Sequence, residues 1–162
     1  MKKTMRVSVI GGTGFVGHAL VERLIAGAHE VTVVSRNSAR HLDRSLPPNA
    51  SVRDCDEYDS AALANAIKGS DVAINLVGIL NETGGLGRSD SGRGFVRAHV
   101  DLTRSMIAAC DAAGVPRLLQ MSALNAGRGR SHYLRTRGAA DELVKASNLD
   151  WTIFQPSVIF GR

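Results

Sequence analysis

Val7-Ser8-Val9-Ile10-Gly11-Gly12-Thr13-Gly14-Phe15-Val16-Gly17 is the stretch whose reading decides the fold. A short run of strand composition ends in clustered glycines and passes directly into Val16, Ala19, Leu20 and Leu24, which recur at helical spacing. Gly12, Gly14 and Gly17 fit three separable jobs: a tight turn, close approach of backbone to a pyrophosphate, and close packing of helix on sheet. Amide groups at the helix start, helped by the positive end of its dipole, can hold phosphate. A six-residue glycine pattern alone is weak, but here a strand precedes it and an amphipathic helix comes after it. Gly11, Gly12, Thr13, Gly14, Phe15, Val16 and Gly17 are therefore expected to form a nucleotide cradle.

Outward from this stretch, strand and helix signals alternate. Strands are expected at Arg6 to Ile10, Glu30 to Ser35, Ser51 to Asp54, Asp71 to Val77, Arg117 to Ser122 and Trp151 to Gln155. Helices are expected at Phe15 to Ala26, Ser60 to Lys68, Phe95 to Ala113 and His132 to Ser147, with Gly114 and Pro116 closing the third and Ser131 capping the fourth. Val96, Val100, Thr103, Ile107 and Cys110 mark the expected inner face of the long third helix, which makes Cys110 a small buried hydrophobe. The Asp71 to Val77 run is almost continuously apolar, as a central parallel strand requires. Six strands separated by helices predict a Rossmann-type, doubly wound parallel sheet in three α/β/α layers, in the order 3-2-1-4-5-6. Asn81 to Gly94 is polar and glycine-rich and reads as an exposed loop.

The chain has 162 residues, enough for one core. Two cysteines give no disulfide framework, so a reducing cytoplasm is the simpler expectation. No apolar run is long enough for a bilayer span, and the basic start Met1-Lys2-Lys3 is not succeeded by a signal-peptide core. The net charge of +5 suits nucleic acid, an anionic membrane or a phosphate-rich cofactor. Aromatic residues are only 4% and are not interleaved with the arginines, which argues against nucleic acid. Asp56, Glu57 and Asp59 come without a histidine cluster and could equally cap the Ser60 to Lys68 helix, so no metal site is assigned and Asp56 is placed near an adenine edge instead.

Cofactor choice turns on the residues just after the second strand. An acidic residue there accepts hydrogen bonds from the ribose of NAD. This chain has Ser35-Arg36-Asn37 and, further on, Arg40, and a guanidinium near the ribose can pair with the extra phosphate of NADP. NADP(H) is favoured over NAD(H), with Arg36 as the selecting residue. Asn75, Leu76, Val77 and Gly78 end the fourth strand on the edge where the glycine turn opens and are expected to line the same crevice.

Further motifs are Asn75-Leu76-Val77-Gly78-Ile79-Leu80-Asn81-Glu82, Phe95 with His99-Val100, Met121-Ser122-Ala123, Tyr133-Leu134-Arg135-Thr136-Arg137 and Leu149 to Gly161. Together with the glycine stretch they resemble the extended short-chain dehydrogenase/reductases of the NAD-dependent epimerase/dehydratase superfamily. Within it they are most similar to the atypical branch of NDUFA-type accessory subunits of respiratory complex I. The resemblance implies that Met121, Ser122, Tyr133, Arg137, Pro156, Ser157 and Val158 face the cofactor. It also implies a small C-terminal substrate region beyond the present sixth strand, here absent or truncated.

Active members use a Tyr as acid/base, a Lys four residues later and a nearby Ser or Thr. Tyr133 matches the first, Arg137 stands at the second, and the hydroxyl position falls on Leu124, with Ser122 earlier. Two altered roles out of three imply a cofactor kept for a structural or sensory purpose, in a respiratory or quinone-linked complex, in the cytoplasm or at the inner face of the cytoplasmic membrane. The alternative is an active oxidoreductase or epimerase with Tyr133 exchanging the proton. A third reading is a basic module for nucleic acid or anionic membrane using Arg128, Arg130, Arg135 and Arg137. The superfamily's paired long helices imply a homodimer.

Overall fold

The computed structural model describes residues 3–36, 46–55, 58–80 and 93–161. Six parallel strands, β1 (Arg6–Ile10), β2 (Glu30–Ser35), β3 (Ala50–Asp54), β4 (Val72–Asn75), β5 (Arg117–Met121) and β6 (Asp150–Phe154), form one sheet in the order β3-β2-β1-β4-β5-β6. The helices are α1 (Phe15–Ala26), α2 (Ser60–Ile67), a short α3 (Arg93–Phe95), α4 (Leu102–Ala113) and α5 (His132–Lys145). The predicted order and three-layer Rossmann architecture are those found.

The layers result from which side of each strand is apolar. Val9, Val31, Val33, Val72 and Ile74 pack with Val21 of α1 on one face. Ile10, Val34, Ala73 and Leu118 pack with Leu63 and Ile67 of α2, Leu102 and Met106 of α4 and Val144 of α5 on the other. Every residue of β4 is buried, as two covered faces demand. Asp59 caps α2 by accepting from the Ala62 amide at 2.8 Å, and the Arg53 guanidinium donates to the Ala66 carbonyl at the other end, also at 2.8 Å. Ser131 caps α5 through the Leu134 amide. Along the N-terminal edge of the sheet, Arg6 pairs with Asp71 at 3.0 Å and Arg117 with Asp150. The opposite, C-terminal edge is where the glycine turn opens.

Two sequence expectations need correction. The fourth strand ends at Asn75, two residues early, because the Asn75 side chain takes the Val77 amide at 3.1 Å and turns the chain out of the sheet. The third predicted helix is not one regular helix: Val96–Asp101 is a π-helical turn between α3 and α4. Its wider turn rotates the inward face, so Phe95, His99, Leu102 and Met106 are buried while Val96 is 41% exposed. Thr103 and Cys110 do face inward. Burial pushes the Cys110 thiol up to about 12, with Asp111 adding to the effect. Native protein at pH 8 is expected to leave Cys110 unmodified by a thiol reagent and to react there only in denaturant, as mass spectrometry would show. No helix among the described residues is long and apolar enough to cross a membrane.

Candidate functional site at the C-terminal edge of the sheet

The turn after β1 is built around Gly11, whose φ of +84° is the left-handed conformation. The tight turn is therefore carried one residue ahead of Gly12, which has a negative φ and packs against Val33 and Val21 instead. Gly14 N donates to Gly11 O at 3.1 Å, and the first intrahelical bond runs from His18 N to Gly14 O. The amides of Phe15, Val16 and Gly17 come before that bond, in a first turn with no acidic residue and no side-chain cap. A side chain at Gly14 would meet only Gly11 O, at 3.3 Å. The space over this helix start is open, and its chemistry suits an anion. The residues present thus fit a dinucleotide's pyrophosphate.

Arg36 stands exposed at the end of β2 with its guanidinium over the Tyr58 ring, 5.4 Å from the centroid. Burial raises the Tyr58 phenol pKa, and Arg36 partly offsets this. Ser35, just before it, is buried. Asn37, Arg40 and Asp56 lie outside the described residues. The far side of the crevice is closed by Pro156 to Gly161, directly after β6. Pro156 O accepts from Leu124 N at 2.8 Å, and a Cβ built on Gly161 would lie 3.2 Å from the Phe15 ring. The segment carrying Ser157 and Val158 therefore runs from the end of β6 back to the start of α1.

Between these walls the polar groups are largely spoken for by the protein itself. Asn75 Nδ2 donates to Gln120 Oε1 at 3.0 Å, and Gln120 Nε2 to Thr103 Oγ1 at 3.1 Å. Arg137 is only 4% exposed. Its NH1 donates to Met121 O at 2.9 Å and Val77 O at 3.3 Å, and its guanidinium carbon lies 5.5 Å from the Tyr133 ring centroid. A Cβ on Gly78 would fall 1.8 Å from Arg137 NH2, so that glycine is where the guanidinium passes. Such burial removes Arg137 from any exposed basic patch. Ser122 is 3% exposed and donates to Asp141 Oδ2 at 2.8 Å, whereas Leu124 is 52% exposed.

Tyr133 is held edge-on by two rings, His99 at 5.3 Å and Phe95 at 5.9 Å between centroids. Thr136 Oγ1 lies 2.9 Å from His99 Nδ1, in hydrogen-bond contact, and within 2.8 and 3.0 Å of the His132 and Tyr133 carbonyls. The other ring nitrogen, Nε2, is buried and makes no close, well-aligned hydrogen bond. Burial, reinforced by the Arg137 charge and opposed by the Ile79 carbonyl, pushes His99 down to about 3. Sequence reasoning missed His99, Gln120, Thr103 and Asp141 as site-building residues. A polar residue at an inward helical or strand position was the available signal for each.

Known proteins resemble this chain over nearly all of its length. The yeast UPF0659 protein YMR090W is 29% identical over 94% of this chain and 69% of its own length. NADH dehydrogenase [ubiquinone] 1 alpha subcomplex subunit 9 of Arabidopsis thaliana is 30% identical over 95% of this chain and 38% of its own. Thus the chain spans from about a third to about two thirds of these relatives. A solved UDP-N-acetylglucosamine 4-epimerase of Methanobrevibacter ruminantium shares the fold, with a TM-score of 0.76 at 18% identity over 95% of this chain and 55% of that one. Residues 11–160 match the NAD(P)H-binding family, and that span takes in the glycine turn, both walls of the crevice and the segment that closes it. The chain belongs to the NAD(P)H-binding family.

Proposed function

We propose that the protein holds NADP(H), in preference to NAD(H), in a structural or sensory role, as part of a respiratory or quinone-linked assembly. The observation that carries the non-catalytic reading is Arg137. At the position where active short-chain dehydrogenase/reductases keep a lysine, its guanidinium is buried and donates to two backbone carbonyls. A guanidinium does not readily exchange a proton, and this one acts as a strut between the ends of β4 and β5. The Arabidopsis relative's place in NADH dehydrogenase supports the choice of assembly. In this reading Gly11 to Gly17 cradle the pyrophosphate, Arg36 meets the ribose phosphate, and Leu76 to Gly78 and Pro156 to Val158 line the nicotinamide side. A further C-terminal region would cover Val158 and Phe160, which are 82% and 89% exposed. The protein would work in the cytoplasm, in part at the inner face of the cytoplasmic membrane, and a homodimer through its long helices belongs to the same proposal.

The second reading is an oxidoreductase or epimerase, favoured by the Phe95 and His99 rings that fix Tyr133 beside the crevice. The nicotinamide would supply hydride chemistry, and Tyr133 would hold or release the proton at its phenol oxygen. Titration with NADPH and NADH by calorimetry separates ligand preference from chemistry. Arg36→Ala is expected to cost about 10-fold or more in NADPH affinity and little in NADH affinity, since one charge-assisted phosphate contact is lost. Equal loss for both nucleotides would remove Arg36 from the selecting role. Tight NADPH binding without turnover supports the structural role, whereas carbonyl reduction that disappears in Tyr133→Phe supports the enzyme.

A further inference from the structure

Arg36 is held in place from two sides, and only one of them is its own strand. β2 and β3 run in register to Ser35 and Asp54, and Cys55 N then donates to Ser35 O at 2.8 Å, so the chain leaving β3 starts out beside Ser35 and Arg36. Tyr58 comes three residues later and immediately before Asp59, which caps α2. From that position a side chain packs back on the fourth residue of the helix, here Leu63. Tyr58 is half-buried and packs against the core cluster that contains Leu63 and Cys55. Its ring is thus fixed by α2 and the core, and the Arg36 guanidinium lies over that ring, 5.4 Å from the centroid. The approach is close enough for the Arg36 charge to draw the phenol pKa down against its burial. A fully solvated arginine spreads over many rotamers and loses that freedom on binding. One laid over a fixed aromatic ring has given up much of it before a ligand arrives, and its N–H donors stay in the guanidinium plane, where a phosphate takes them in pairs.

We infer that Tyr58 is a positioning residue for nucleotide selection, its aromatic ring presetting the Arg36 guanidinium for the 2′-phosphate of NADP(H) without itself touching the nucleotide. The inference rests on the proposal that Arg36 meets that phosphate. It separates from a packing role for Tyr58 by its pattern. Packing on Leu63 serves NADPH and NADH alike, whereas presetting acts on NADPH alone, and only while Arg36 is present.

The test is calorimetric titration with NADPH and with NADH, beside thermal melts that check folding. Tyr58→Leu keeps an apolar side chain against α2 and removes the aromatic face. It is expected to weaken NADPH about 3- to 5-fold and to leave NADH within about 2-fold of the unsubstituted chain. Tyr58→Met, a second non-aromatic replacement, should match it, so the result does not hang on the folding of one variant. Tyr58→Phe restores the ring and should bind both nucleotides within about 2-fold of the unsubstituted chain. In a chain that already carries Arg36→Ala, Tyr58→Leu should weaken NADPH no further, because the two residues act as one unit. An unchanged ratio of NADPH to NADH affinity in the Leu and Met variants, a Phe variant as poor as they are, or an undiminished Tyr58→Leu effect in the Arg36→Ala chain would overturn the positioning role. The outcomes also tell this inference from the reading beneath it. An Arg36→Ala chain that binds NADPH normally ends both, whereas one that loses NADPH while Tyr58→Leu keeps it ends the role of Tyr58 alone.

Discussion

Gly17→Ala is expected to cost the protein about 3 kcal/mol or more of stability, a fall in Tm of at least about 6 °C for a domain of this size. A Cβ at position 17 would lie 2.3 Å from Gly11 O, 2.6 Å from Gly12 Cα and 2.7 Å from Gly12 C. All three are backbone atoms of the turn itself, and Gly12 is pinned in turn by Val33 and Val21, so nothing at the contact can swing aside. Only a shift of α1 off the sheet relieves the clash, at the expense of Val21 packing in the core. Gly14→Ala should behave in the opposite way. Its φ of −81° and ψ of 177° suit any residue, and its Cβ meets only Gly11 O at 3.3 Å. That variant should fold within about 1 kcal/mol of the parent and lose NADPH binding by 10-fold or more, because the methyl group enters the space open to the pyrophosphate. Thermal melts beside calorimetric titrations would show the dissociation between the two glycines. A Gly14→Ala protein that binds nucleotide normally would mean that the phosphate does not approach the turn there.

Acid should destabilise the fold through His99. Its folded-state value of about 3 lies well below the ordinary 6.5. Between those values the unfolded chain takes up a proton that the folded chain does not, so the stabilisation is present above about pH 6.5 and is lost as the pH falls towards 3. Each pH unit in that window corresponds to about 1.4 kcal/mol, and the fall from pH 7 to pH 5 to about 2 kcal/mol. Protonation would put a charge on a ring enclosed by Phe95, Tyr133 and the Arg137 guanidinium. His99→Asn retains an amide able to reach Thr136 and removes the titration. Its urea-derived stability should therefore be lower at pH 7 and yet fall by about 2 kcal/mol less between pH 7 and pH 5. Parallel pH profiles for the two proteins would show that His99 is not the group responsible.

Strand order and the presence of a glycine turn between β1 and α1 were legible in the sequence because both rest on local rules. Apolar β-branched runs, helical spacing and a left-handed turn repeat wherever such segments occur, and the right-handed crossover leaves few ways to order the strands. What escaped was set by side chains far apart in the chain. Nothing near position 75 announces that its amide will meet Gln120 from β5, or that it will end β4 early by seizing Val77. A 3.6-residue period cannot foresee the π-helical turn that brings His99 inward in place of Val100. Arg137 read as a helix-face charge, yet its partners are carbonyls at the ends of two other strands. Asp141 stands at helical spacing from Arg137, but its partners Ser122 and Gln155 come from just beyond the ends of β5 and β6, which spacing within α5 does not announce.

The Asn75–Gln120 bond joins two residues that are directly opposite in the β4–β5 ladder, and Thr103 completes it from α4. This amide chain consequently acts as an index mark during assembly of the sheet. Sliding β5 by one residue along β4 would turn Gln120 to the other face, set apolar Leu119 against Asn75 and strand two buried amides at once. Valine and leucine contacts tolerate such a slip far better than directional bonds do. The centre of the sheet thus carries a penalty against misregistered pairing that its hydrophobic residues alone could not impose.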